Sequence, residues 1–276
     1  MTINRGTLFQ FFKYAVYALL TLNVYWFFAE EQLAAQLQFP LGVKAGDLIE
    51  AYASAIDTAA WVVLLLMFEL ETFVLEDHHF TKKVTWTLHG VRAFSYLFIV
   101  YAFYGYIANA IFSYDMIPLS NISNLCTLIE DQWSYAVDID EYVQITAFNC
   151  SSFTSNSVFQ QFGELPAVVD EPGLRNIQYL AWVDVINAGV WLLIVLILEI
   201  DVRLQERDRL QGLALRLSKG IKFGLYAILL LAAIYWGIKG DFVDFWDAFL
   251  WLVAFFFIEM NVVEWRQESL EGQVGM

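Results

Sequence analysis

Only three histidines and two cysteines occur in 276 residues. That scarcity removes most metal and nucleophile chemistry before any motif is sought. The chain contains no Walker sequence, no Gly-x-Ser-x-Gly and no paired cysteines at zinc-binding spacing. Two of the histidines fall in Glu76-Asp77-His78-His79. Neighbouring helical residues point about 100° apart, so this tetrad reads better as a cytoplasmic interfacial loop than as a metal cluster. No metal is assigned and no cofactor is evident. Carboxylates alone can hold a catalytic metal, which leaves an intramembrane enzyme acting on lipid as a third reading with nothing positive behind it.

Charge is also scarce, at 16% of residues, and basic charge scarcer still: 15 Lys and Arg against 30 Asp and Glu, a net −15. Such a surface repels nucleic acid and concentrates cations. Both cysteines, Cys126 and Cys150, lie 24 residues apart in one polar stretch. An even count in an oxidising compartment suggests a single disulfide, with two free thiols as the other reading. The sequons at Asn121 and Asn149 matter only in a glycosylating host.

What the chain has in abundance is apolar residues, 59% of the total, with a mean hydropathy of +0.54. They fall into six runs, at 8–29, 55–76, 92–113, 179–202, 218–238 and 243–265. Each reaches the roughly 20 residues that a helix needs to cross a bilayer. The runs are continuous rather than alternating, which favours helices over membrane strands. The first resembles a signal peptide in its flanks, but it shares the pattern of the third and fifth and belongs to the core. Twelve of the 15 basic residues fall on one side of the six runs, leaving Lys44, Arg175 and Lys239 on the other. The positive-inside rule then places both termini in the cytoplasm and 114–177 outside. A multi-pass plasma (inner) membrane location follows. Trp26, Trp86, Trp182, Trp236, Trp246 and Trp265 near span ends fit interfacial belts.

A threefold repeat organises the runs. The even-numbered ones carry Asp57, Trp61, Glu69 and Glu71; Asn187, Trp191, Glu199 and Asp201; and Asp247, Trp251, Glu259 and Asn261, always at offsets 0, 4, 12 and 14. The odd-numbered ones carry Lys13 and Tyr17, Arg92 and Tyr96, Lys222 and Tyr226. Period-first reading therefore gives an all-α polytopic membrane protein of six transmembrane helices, built as three parallel two-helix repeats with pseudo-threefold symmetry. The whole chain, 1–276, is one membrane domain: repeat one 8–76, repeat two 87–206 with an extracytoplasmic cap 114–177, and repeat three 217–268. The first outer loop, between Ala29 and Ile56, is expected to end as helix running into the second span. The third, at Lys239-Gly240-Asp241, is expected to be a tight turn.

The repeated polar residues are the candidates for function. Helical rotation puts the Trp and the residue at offset 14 each about 40° from the first residue, on either side of it, and the glutamate at offset 12 about 120° away. An ionisable group inside a span costs at least ~2.5–3.5 kcal/mol, so these acids face a partner or water rather than lipid. Lys13, Arg92 and Lys222 lie at matching depth, and the bland reading is three repeated salt bridges. Five acids at the two deeper positions (Glu69, Glu71, Glu199, Asp201, Glu259) exceed those three bases. Unpaired buried carboxylates protonate, meet water or bind a cation. The first functional reading is therefore a cation or proton channel or transporter, with Glu69, Glu199 and Glu259 inside, and Asp57, Asn187 and Asp247 as an outer ring. Helix capping competes for that outer set. The rival reading is a non-transporting scaffold, sensor or complex subunit, with the lipid bilayer and a protein partner as its neighbours. Its docking faces are the outer cap or the basic segment 203–219, read here as an amphipathic extension of the fourth span. Neither reading fixes an oligomeric state.

Overall fold

The computed structural model describes residues 5–71, 81–119, 122, 124–153, 158–206 and 211–257. It is mostly helical. In chain order the helices are α1 (Arg5–Gln38), α2 (Leu48–Ala51), α3 (Ala53–Glu69), α4 (Lys82–Phe112), α5 (Cys150–Phe153), α6 (Glu171–Glu206), α7 (Gly212–Lys239) and α8, described over 242–257. Four of them, α1, α4, α6 and α7, are long and apolar enough to cross a membrane. The spans expected at 55–76 and 243–265 are covered by α3 and α8 only in part, and the remainder of each lies outside the described residues. Large apolar side chains stand exposed along the long helices, among them Phe94, Leu97 and Val100 on α4 and Leu230, Leu231 and Ile234 on α7. A soluble monomer rarely exposes contiguous apolar surface on that scale, whereas lipid solvates it.

The helices overrun the expected spans at their ends. Helix α1 continues to Gln38 rather than stopping at Ala29, and α4 begins at Lys82, ahead of Arg92. The segment 203–219 is not one extension of the fourth span: Arg203–Glu206 close α6, and Gly212 onward open α7, with Gly212 at φ +56°. A left-handed backbone there suits glycine and interrupts the helix.

The chain divides into two compact units, one holding residues up to Asn23 with those from Leu193 on, the other Val24–Leu192. In the second unit α2 and α3 form a broken helix. The break is at Tyr52, whose φ of −141° leaves the helical region. No side chain of the Tyr52 cap serves the restarting helix. Glu31 of α1 does so instead, accepting from Ser54 N at 2.7 Å and Ala55 N at 3.1 Å. Helix starts leave such donors unsatisfied, and a carboxylate also suits the dipole. Helix α4 comes close at Gly105, where an added Cβ would meet Ile49 O at 2.9 Å and Ala53 Cβ at 3.1 Å.

The loop 114–177 contradicts a purely α assignment. It folds into five short strands, β1 (Met116–Pro118), β2 (Ser134–Ala136), β3 (Tyr142–Gln144), β4 (Phe159–Phe162) and β5 (Ala167–Asp170), in the order β1-β4-β5-β2-β3. Only β2 and β5 run parallel. Side chains alternate across the sheet, as strand geometry requires. Ala167 and Val169 join Phe162, Ile139 and Ile177 on one face, packed on Leu37 and Phe112 from the ends of α1 and α4. Val168 and Phe159 join Leu125, Leu128 and Ile145 on the other. The Cys126–Cys150 disulfide, with a Cα separation of 4.9 Å, ties the turn Leu125–Leu128 to α5 on that second face. Asp170 joins sheet to helix: its Oδ1 accepts from Gly173 N at the start of α6 and from Tyr135 Oη, both at 2.9 Å. Asn149 accepts from Thr146 N and donates to Gln144 O, so this sequon residue is committed to a turn.

In the first unit α7 ends at Gly240, φ +91°, and both Gly240 N and Asp241 N donate to Trp236 O. This is the left-handed glycine stop of a helix. Asp241 then caps α8 by accepting from Asp244 N at 3.2 Å. The expected tight turn is therefore present. Gly237 lies against the ring of Phe245, with 3.2 Å to an added Cβ, and Phe9 packs edge-on against Phe257 with centroids 5.0 Å apart.

Candidate functional site

The inner polar positions resolve into ion pairs at offset 14. In the second unit the Arg92 guanidinium donates to Glu71, and both side chains are about one-quarter to one-third exposed. In the first unit Lys222 Nζ stands 3.4 Å from Asp201 Oδ2, with both side chains about 15% exposed. Ser218 Oγ adds a 2.5 Å hydrogen bond to the same oxygen. The two pairs join equivalent residues of the repeat, an even helix to the odd helix that follows it. Lys13, their counterpart, is 3% exposed, with Nζ 5.0 Å from the centre of the Tyr14 ring. Asn261 lies outside the described residues.

The glutamates at offset 12 do not share an environment. Glu69 is 5% exposed. Glu199 is half exposed and pairs with Arg203 one turn on, at 3.1 Å. Glu259 lies outside the described residues, as do the residues of the Glu76–His79 tetrad.

The outer positions are built differently. Asp57 accepts from Tyr106 Oη of α4 at 3.4 Å. Tyr106 stands within electrostatic reach of Glu31 and Asp184 as well. Asn187 Oδ1 is buried with no hydrogen-bond partner among the described residues. Asp247 accepts from Asn23 Nδ2 of α1 at 2.7 Å and from the indole of Trp251, one turn further along α8. The three repeated tryptophans, Trp61, Trp191 and Trp251, are all buried, at 6–8% exposure. Trp61 and Trp191 meet with ring centroids 6.1 Å apart. Tyr17 is buried, and Tyr96 and Tyr226 are half-buried. The repeated aromatics thus serve packing first, and Trp251 also turns its indole N–H to Asp247.

Sequence reasoning did not single out Glu31, Tyr106 or Asn23. Glu31 carried a signal, since it is an acid 18 residues beyond Lys13 on one helix, but its use depends on the break at Tyr52. Near the C-terminal ends of α1 and α4 a groove of about 500 Å³ includes Gln38, Glu50, Asn109 and Asp115 in its wall. Among the described residues no group of three or more His, Cys, Asp or Glu is placed to hold a metal ion. Comparison of the chain with protein-family models, with curated proteins and with solved structures returns no match.

Proposed function

We propose that this chain is an integral membrane protein that takes up and passes protons or small cations. It crosses the membrane six times in three parallel helix pairs, with its basic ends in the cytoplasm and the disulfide-tied cap outside a plasma (inner) membrane. The observation that carries the functional part is a division among the acids. Glu71 and Asp201 each have a base of their own. Asp247 is held by two neutral N–H donors, with no base acting on it among the described residues. A carboxylate placed so binds a proton or a cation, or it costs several kcal/mol where it stands.

The order of the polar contacts supports the cyclic repeat. Repeat one reaches repeat two through Glu71–Arg92 and Asp57–Tyr106. Repeat two reaches repeat three through Asp201–Lys222, and repeat three returns to repeat one through Asp247–Asn23. Each even helix uses the odd helix of the next repeat, which is the relation a pseudo-threefold axis along the membrane normal requires.

Ion flux into proteoliposomes tests the function, with protons, sodium, potassium and divalent cations in turn. Wild type is expected to pass one of them selectively, and Asp57→Asn with Asp247→Asn to abolish it. The Glu69, Glu199 and Glu259 to Gln set asks whether the inner glutamates share the path. Folded, oriented wild-type protein that passes none of these ions overturns the proposal. The scaffold or sensor reading then takes its place, favoured by the two ion pairs, which stabilise helix contacts without any transport, and by the folded cap.

A further inference from the structure

Asn23 sits in α1 at 0% exposure. Its amide nitrogen donates to Asp247 Oδ1 at 2.7 Å, while its amide oxygen has no hydrogen-bond partner among the described residues. A buried acceptor without a donor costs about 1–3 kcal/mol. Exchanging the amide oxygen and nitrogen offers no remedy. The oxygen would then face a carboxylate oxygen, and the nitrogen would be the orphan.

One hydrogen resolves the conflict. A protonated carboxyl is both donor and acceptor, and so is a carboxamide. Set edge to edge they form two hydrogen bonds: the amide N–H to the acid's carbonyl oxygen, and the acid's O–H to the amide oxygen. We propose that Asn23 and Asp247 form a proton-binding site, in which a proton taken from water is carried as the Asp247 carboxylic acid and shared with the Asn23 amide oxygen. Releasing it leaves a carboxylate held by Asn23 Nδ2 and the Trp251 indole, with the amide oxygen orphaned again.

A metal cation suits the same place poorly. Two N–H hydrogens already point at the carboxyl group, and they would point at any cation bound there. Hard cations also gather six or more oxygens, and two side chains fall well short. The titratable groups on the surrounding elements are Tyr17 and Tyr25 on α1, Tyr235 and Lys239 on α7, and Asp241 and Asp244 at the start of α8. Among the described residues the hydrogen-bond partners of the Asp247 carboxyl are Asn23 and Trp251. Lys239 lies instead over the Tyr235 ring, 5.5 Å from its centre. Asn23 is sealed and Asp247 is half-buried.

As a step in proton passage this rests on the function proposed above; as a binding site it does not. The test is infrared difference spectroscopy of the full chain in lipid nanodiscs, between alkaline and acidic buffer. Proton flux is measured on the same proteins in liposomes. Wild type should show a carboxylic-acid C=O band that Asp247→Asn removes. Asn23→Leu, which keeps the volume and removes the amide, should move that band to the position of a less hydrogen-bonded acid and shift its titration midpoint. Carboxyl bands identical in wild type, Asp247→Asn and Asn23→Leu overturn the site, and surviving flux would leave the functional proposal standing. The band without any flux keeps the site and removes the transport reading.

Discussion

Glu31 offers the sharpest check on how the broken helix is held. The carboxylate is 4% exposed and takes two backbone N–H groups at the start of α3, at 2.7 and 3.1 Å. Glu31→Gln keeps the size and removes the charge. A glutamine oxygen can accept one of those N–H groups, and the amide NH2 must then face the other. Hydrogen bonds to charged groups contribute about 1.5–3 kcal/mol each, and a buried orphan donor costs a similar amount. The lost interaction with the helix dipole adds up to ~2 kcal/mol in a partly buried setting. Allowing for overlap between these terms, the substitution should cost about 2–4 kcal/mol. Glu31→Ala, which strands both donors, should cost more. The stability change is read by unfolding the full chain in mild detergent, and the local effect by hydrogen exchange at the Ser54 and Ala55 amides. Burial shields the interaction from salt, so the loss should change little with ionic strength. If Glu31→Gln leaves both the unfolding midpoint and the protection of those amides where they were, the capping argument is wrong.

Three further outcomes follow from the packing. Gly105→Ala should destabilise by about 1–3 kcal/mol, because the new methyl meets a backbone oxygen that cannot step aside; a fully stable variant would mean that α4 and α2 are not in contact there. Cys126→Ser opens a loop of 24 residues and should cost the cap roughly 3 kcal/mol, visible as faster proteolysis of 114–177. Burial holds the Tyr135 and Tyr142 phenols above their ordinary value of 10.0, helped by Asp170 beside the first and Asp140 near the second. Because the folded state favours the neutral phenol, their contribution is whole below about pH 10 and falls as pH rises past it. Alkaline difference absorbance should therefore show late-titrating tyrosines in wild type, and Tyr135→Phe should reduce their number by one.

Some of this fold was legible in the sequence for plain reasons. Long apolar runs mark α1, α4, α6 and α7, since nothing else in a protein needs 20 such residues together. Gly240 followed by Asp241 announces a helix stop and a new cap, and two cysteines in one polar loop leave a single possible intramolecular disulfide. The sheet was hidden because its strands are three or four residues long, too short for an alternating pattern to register. The break at Tyr52 was hidden because neither glycine nor proline marks it. The choice of acid at offset 14 over offset 12 was half visible. Rotation puts Glu71 and Asp201 on the face of the buried tryptophans, and both meet the repeated base of the odd helix that follows. It did not show that Glu69 would be buried and its counterpart Glu199 exposed. That depends on what packs around each helix, which no single strand of sequence displays.

The acids of this chain separate by what holds them rather than by where they sit in the repeat. A carboxylate beside a base, as in Glu71–Arg92 and Asp201–Lys222, is neutralised in place; taking either partner away strands the other, and pairs of this kind resist change for structural reasons alone. A carboxylate beside a helix start, as at Glu31, is also fixed, because the donors it serves have no other partner. Asp247 is different. Its two donors are neutral and remain satisfied whether or not the acid is charged. A site that can hold either state at modest cost is what proton uptake and release demand. The search for activity therefore belongs at Asn23 and Asp247, near the start of α8, while the Glu71–Arg92 and Asp201–Lys222 pairs belong to the account of how the helices stay together.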